Sequence, residues 1–261
     1  MAKMKKQSGF TLIELIITIV AIGIMVMGIT GFIELGTKGY ADTVDRQQLQ
    51  NQARFVVEKL TREIRHAVPN SFSVTNNDTC LSFYPIEYSG GYAVLEQNDD
   101  SINDRFRFVV VNTNSSPEGT VLQGNNMVIN PATPEDLEPT NSTQSIVLSS
   151  VTKNDDNIYS IAFDDDFNAS NVVASPANRL YIYNHKVTYC QEGTRLTREV
   201  DTNGAIQVGE NVETAYFADG TGGADGENSL SRSALIHFQL RFKRGDEVSN
   251  YENDVQVMNV P

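Results

Sequence analysis

Between Phe10 and Ile33 the chain holds a single charged side chain, Glu14, in a run of otherwise apolar, small or hydroxyl residues. As a helix rising 1.5 Å per residue this run measures about 36 Å, enough to cross a hydrocarbon core of about 30 Å with modest tilt. The rest of the chain must therefore be organised as what hangs from a membrane-spanning rod. Lys3, Lys5 and Lys6 precede the run, and the positive-inside tendency puts the N-terminus in the cytoplasm and everything beyond Glu34 on the far side. A removable secretory signal has an apolar core of only about 7 to 15 residues, so the run reads as retained. Glu14 is the anomaly, because a charged group within the bilayer costs about 2.5 to 3.5 kcal/mol on insertion scales and such residues mark function. An ordinary signal anchor remains an open alternative, and it has no use for the acid.

The order of residues from Lys3 to Leu15, K-M-K-K-Q-S-G-F-T-L-I-E-L, resembles the class III leader of type IV pilins and type II secretion pseudopilins. The resemblance implies that a prepilin peptidase of the inner membrane cuts between Gly9 and Phe10 and methylates the new amino group of Phe10. It also implies that Glu14 is the residue through which subunits assemble. Further on, Val187-Thr188-Tyr189-Cys190-Gln191-Glu192-Gly193-Thr194-Arg195-Leu196-Thr197-Arg198 reads as a hairpin with Glu192-Gly193 near its tip. It is similar to the V-x-Y…G-x-L-x-R hairpin of the J-type pseudopilins and PilW-like minor pilins. The partners implied are other minor pilins, the major pilin, the prepilin peptidase and the inner-membrane assembly platform. The localisation implied is single-pass in the inner membrane, with a periplasmic domain, and then the pilus and cell surface.

Beyond Glu34 the pattern turns amphipathic. Leu49, Ala53, Val56, Leu60, Ile64 and Ala67 recur at intervals of three and four, which lays them along one helix face. Pro69 predicts the end, because the residue before proline is pushed out of the helical region. Gly28, Gly31, Gly36 and Gly39 lie near the join, each costing up to about 1 kcal/mol of helix propensity, so local unwinding is expected there. The organisation expected is a leader at 1–9, a transmembrane helix at 10–33, an amphipathic continuation at 34–68 and a β-rich periplasmic domain at 69–261.

From Pro69 onward, short β-rich runs alternate with Asn, Asp, Gly and Ser. Strands are predicted at 79–84, 105–111, 146–149, 158–163, 179–183, 186–190, 195–200, 234–242 and 255–259. In the clearest, Ile236, Phe238, Leu240 and Phe242 alternate with His237, Gln239 and Arg241, one face dry and the other wet. The intervals 119–144 and 164–178 read as loops. The fold class expected is α+β, with a long N-terminal helix packed on an antiparallel β-rich domain.

The formal charge of −13 argues against nucleic acid, which is bound through clustered Lys and Arg that displace counterions. His66, His185 and His237 are scattered, with no nucleophile, zincin, phosphate-loop or dinucleotide signature beside them, so no enzyme is expected and no catalytic residue is assigned. Cys80 and Cys190, beyond the membrane, are candidates for a disulfide, with two independent thiols as the competing reading. The stretch from Asp219 to Asn228, with Asp219, Asp225 and Glu227, offers carboxylates suited to calcium, although the spacing is not that of an EF-hand; a solvated loop is the simpler expectation. The resemblance of the leader and of the hairpin implies, as the expected function, a minor pilin that joins the initiating or tip complex of a type IV pilus. Two alternatives stay open, a tip adhesin of the same pilus and a signal-anchored periplasmic enzyme or binding protein.

Overall fold

The computed structural model describes residues 9–93, 105–111, 117–139, 144–154, 156–162, 172–219 and 235–257. Its first element, α1, runs from Leu12 to Arg65. Residues Met1–Gln48 and Leu49–Pro261 form two separate compact units.

In the first unit the helix passes through Gly28, Gly31, Gly36 and Gly39 without a break, so the expected unwinding is absent. Backbone propensity is a small cost there, spread over a helix whose every turn is hydrogen-bonded to the next. The hydroxyls of Thr18, Thr37 and Thr43 turn back on the carbonyls of Leu15, Ile33 and Gly39, each at 2.8 Å. A hydroxyl so satisfied needs no water, which at Thr18 suits the apolar run expected to cross the membrane.

In the second unit α1 contributes Leu49, Ala53, Val56, Leu60 and Ile64, the expected stripe, all fully buried. The helix closes at Arg65 instead of Val68. The last turn tightens, with Ala67 N–H donating to the Ile64 carbonyl, and Val68 N–H is already committed to the carbonyl of Tyr84 at 2.8 Å. Thus the chain leaves the helix to pair with a neighbouring strand before Pro69 compels it to.

In chain order the strands are β1 (Ser73–Thr75), β2 (Cys80–Phe83), β3 (Tyr88–Tyr92), β4 (Arg105–Val111), β5 (Asn126–Ile129), β6 (Ser145–Val147), β7 (Thr152–Lys153) and β8 (Ile158–Ala162). They continue as β9 (Arg179–Tyr183), β10 (Val187–Glu192), β11 (Arg195–Val200), β12 (Ile206–Glu210), β13 (Val212–Asp219), β14 (Leu235–Arg244) and β15 (Glu247–Gln256). A short helix, α2 (Gly119–Leu122), and a 3-10 turn at Pro134–Leu137 lie between β4 and β6. The strands make three sheets, ordered β1-β2-β10-β11-β12, β13-β14-β15 and β6-β5-β9-β3-β4-β8-β7, and the pairings are antiparallel. The α+β expectation holds.

The α1 stripe shares one core with the first two sheets, through Leu81, Phe83, Tyr189, Leu196, Phe217 and Phe238 among others. Each such side chain removed from water contributes about 1.5 to 3 kcal/mol. The seven-stranded sheet has its own core, with Phe106, Phe108, Met127, Tyr159 and Ile182. Its strands all fall between β2 and β10, so it is an insertion into the five-stranded sheet. Val68, Val128, Leu137, Tyr181 and Tyr183 form a third cluster.

Several sequence expectations are corrected. The interval 119–144 is not a loop, since α2, β5 and the 3-10 turn occupy much of it. Thr133 and Asp136 form a reciprocal capping box on that turn, a local signal that is present but short. Strands β1, β3, β5, β7, β12 and β13 have no counterpart among the expected strands, and of the strand expected at 255–259 only 255–256 is strand, the end of a ten-residue β15 that starts at Glu247, while 258–259 lie outside the described residues. Most of the interval 164–178 lies outside the described residues.

β3, with the sequence YSGGY, is a strand only because its neighbours make it one. It pairs with β4 on one side and β9 on the other. A Cβ at Gly90 would stand 2.0 Å from the Val109 carbonyl oxygen, so the close approach of β3 to β4 requires glycine there. Gly90→Val is expected to destabilise the protein by about 1 to 3 kcal/mol through forced separation of the two strands. Chemical denaturation of the solubilised protein measures it, and an unchanged midpoint would show that the ladder yields freely.

Candidate assembly and anchoring sites

Gly9 and Phe10 lie just outside α1, exposed and in no regular element. Helix formation starts after the expected scissile bond, so the Gly9–Phe10 peptide is free of the intrahelical bonds that would hold it from a peptidase. Thr11 precedes the helix, and its Oγ1 accepts the Glu14 N–H at 3.4 Å. Thr11-Leu12-Ile13-Glu14 is a T-x-x-E capping sequence, a signal that is legible in the chain itself. It places Glu14 in the first turn of the helix, where the positive end of the helix dipole favours a carboxylate.

Among the described residues nothing covers the apolar run that begins at Phe10. Phe10 is 79% exposed, and Ile13, Ile17, Ile24 and Phe32 are exposed with it. The helix is long and apolar enough to cross a membrane, and none of its apolar window is buried. So large an exposed apolar surface calls for lipid or for neighbouring helices.

The V-x-Y…G-x-L-x-R hairpin is β10 and β11, paired from Val187↔Val200 to Glu192↔Arg195, with Gly193 at φ 61° in its turn. A left-handed turn residue suits glycine. Val187, Tyr189 and Leu196 are fully buried and belong to the core that α1 shares. Arg198 stands opposite Tyr189 and donates from Nε to Glu63 Oε2 at 3.0 Å, while Lys59 Nζ meets Glu63 Oε1, also at 3.0 Å. The V-x-Y…L-x-R residues are thus the seat on which α1 rests. Glu63 was not singled out from the sequence, because a charge on an amphipathic helix carries no mark of which partner it meets.

Burial pushes the Glu63 carboxyl up, but the hydrogen bonds and charges of Lys59 and Arg198 outweigh it and hold the group below its ordinary value of 4.5. Burial, and next the Glu63 charge, push the Tyr189 hydroxyl well above its ordinary value. Arg198 is raised despite burial, because Glu63 holds its proton. A carboxyl depressed in the folded state adds stability above its unfolded pKa, and the addition is lost as pH falls through the folded value. Arg198→Met is therefore expected to cost about 1.5 to 3 kcal/mol at pH 7, and the cost should shrink as pH falls below 4.5 and through the lowered value of Glu63. Urea midpoints at pH 7 and pH 3.5 check this, and an equal loss at both would exclude the ionised pair as its origin.

Cys80 and Cys190 are directly opposite on β2 and β10, with Cα atoms 4.2 Å apart and the sulfurs bonded at 2.08 Å. The Gln191 N–H donates to the Thr79 carbonyl beside them, which identifies the pair as the narrow, non-hydrogen-bonded kind that brings side chains closest. Asp219 ends β13, whereas Asp225 and Glu227 of the expected calcium loop, like Asp164 to Asp166, lie outside the described residues. Among the described residues no group of three or more His, Cys, Asp or Glu side chains is placed to hold a metal ion.

The family model described as the prokaryotic N-terminal methylation motif matches residues 4–30. No curated protein and no solved structure matches the chain. The N-terminal segment is therefore type IV pilin-like, carried on a helix able to span a membrane and followed by a β-rich domain.

Proposed function

We propose that the chain is a minor pilin, held in the inner membrane as a precursor, cleaved between Gly9 and Phe10, and inserted with other subunits into the complex that initiates or tips a type IV pilus. The observation that carries this is the methylation motif at 4–30 on a helix whose apolar surface is left uncovered by the described residues. The role is assembly, in which subunits leave the bilayer and bury their apolar helices against one another. The V-x-Y…L-x-R hairpin and the closing segment from Val255 resemble MshO of the mannose-sensitive haemagglutinin (MSHA) pilus, which favours a pilus of that kind over a secretion pseudopilus. The partners are then the major pilin, other minor pilins, the prepilin peptidase and the assembly platform.

Mass spectrometry of the protein from its native membrane tests the first step. The expected mature chain starts at N-methylated Phe10, and Gly9→Glu accumulates as unprocessed, membrane-bound precursor because the peptidase must seat the residue before the cut. A native protein that keeps its leader would overturn the proposal in favour of a plain signal anchor.

A further inference from the structure

Two stretches of α1 carry charges at the same spacing with every sign reversed. Glu34, Lys38, Asp42 and Asp45 read minus, plus, minus, minus, and Arg54, Glu58, Arg62 and Arg65 read plus, minus, plus, plus. Each set occupies positions i, i+4, i+8 and i+11, which at the helical period form one stripe about 80° wide. All eight residues are exposed except Asp45, which is half-buried. The second stripe lies away from the buried Leu49–Ile64 face, and among the described residues Arg62 and Arg65 hold no ion pair. Beside it Phe55 is 59% exposed, and a groove of about 590 Å³ runs between the helix and β15, lined by Phe55, Glu58, Arg62, Arg65, His66 and Asn253. An exposed aromatic set among guanidiniums has the composition of a contact surface.

We propose that this face docks a second copy of the chain, whose acidic stripe Glu34–Lys38–Asp42–Asp45 lies parallel to the basic stripe Arg54–Glu58–Arg62–Arg65 with a stagger of twenty residues, about 30 Å along the axis. At that stagger Glu34 meets Arg54, Lys38 meets Glu58, Asp42 meets Arg62 and Asp45 meets Arg65. The next positions, Arg46 and His66, add no opposed pair, so the match ends there. With no stagger each stripe faces its own kind and repels. Two copies stored at the same height in a bilayer therefore gain nothing, whereas a copy drawn up by about 30 Å finds four opposed pairs. This inference rests on the proposed function, because the displacement requires extraction from the bilayer.

The test uses the full-length chain in cells that assemble it, with cysteines introduced in pairs and intermolecular disulfides read by non-reducing gels. Lys38→Cys with Glu58→Cys is expected to give covalent multimers at least tenfold above Lys38→Cys with Asn51→Cys, which shares the face at the wrong height. Adding Arg62→Asp and Arg65→Asp should reduce that yield at least tenfold, and Asp42→Arg with Asp45→Arg on top should restore it. N-terminal processing is followed in the same samples. An unprocessed chain sinks the proposed function itself. A processed and incorporated chain whose 38–58 yield matches the 38–51 control, or ignores the charge reversal, overturns the stagger alone. Reversal that blocks incorporation without rescue by the swap also overturns it, and assigns the groove to a different subunit.

Discussion

Replacing Glu14 with alanine is expected to leave a subunit that is inserted and cleaved normally yet missing from assembled pili. After cleavage Glu14 stands four residues from the new amino terminus, about 6 Å along the helix. Its carboxylate then has two routes to a positive charge, the amine of its own chain or that of a neighbouring subunit. Either relieves the burden of an acid in hydrocarbon, so assembly gains only the difference between them. Thr11 bears on that difference, since its hydroxyl caps the Glu14 N–H and holds the first turn helical whether or not a neighbour is present. Without the carboxylate, insertion becomes easier by about 2.5 to 3.5 kcal/mol while the contact between subunits is lost. The measurement is pilus number and mutant incorporation alongside processing, with at least a tenfold drop in incorporation expected. Normal incorporation of processed Glu14→Ala would show the acid to be tolerated near the interface and not used in assembly.

Removing the Cys80–Cys190 bridge, by Cys80→Ala with Cys190→Ala, is expected to cost up to about 4.7 kcal/mol, the loop-entropy value for a closure near 100 residues. The cysteines are 110 positions apart, and every strand of the seven-stranded sheet, from Tyr88 to Tyr183, lies between them. The bridge therefore closes the neck at which that sheet is inserted, between β2 and β10. For a domain of this size the thermal midpoint should fall by on the order of 10 °C. A calorimetric scan of the double variant against the parent, without reductant, checks it. A midpoint within a degree or two of the parent would mean that the neck is held by strand pairing alone, and two free thiols in unfolded, unreduced protein would mean that the bridge is not formed.

Much of the rod was legible because its signals are local. The apolar run from Phe10, the lone Glu14, and the three-and-four spacing of Leu49 to Ile64 each state their environment within a few turns of helix, and the structure buries that stripe and leaves the run exposed. Three strands with strong apolar or alternating content, Arg105–Val111, Arg179–Tyr183 and Arg195–Val200, have the bounds expected of them. The candidate site at Glu14 was readable for the same reason, as an acid where hydropathy forbids one.

What only the tertiary structure decided is non-local pairing. β3 is YSGGY, which has little strand preference of its own and is held by β4 and β9 from either side. β15 places Glu247, Ser249, Tyr251 and Asn253 on its more buried face, a pattern too polar to announce a strand, yet ten residues pair with β14. The same holds for Glu63 with Arg198 and for Cys80 with Cys190, whose partners lie more than a hundred residues away. Helical periodicity is written within one segment, whereas a strand's stability comes from the neighbours it is paired with, so the sheets and the contacts that seat the helix emerge only when the chain is folded.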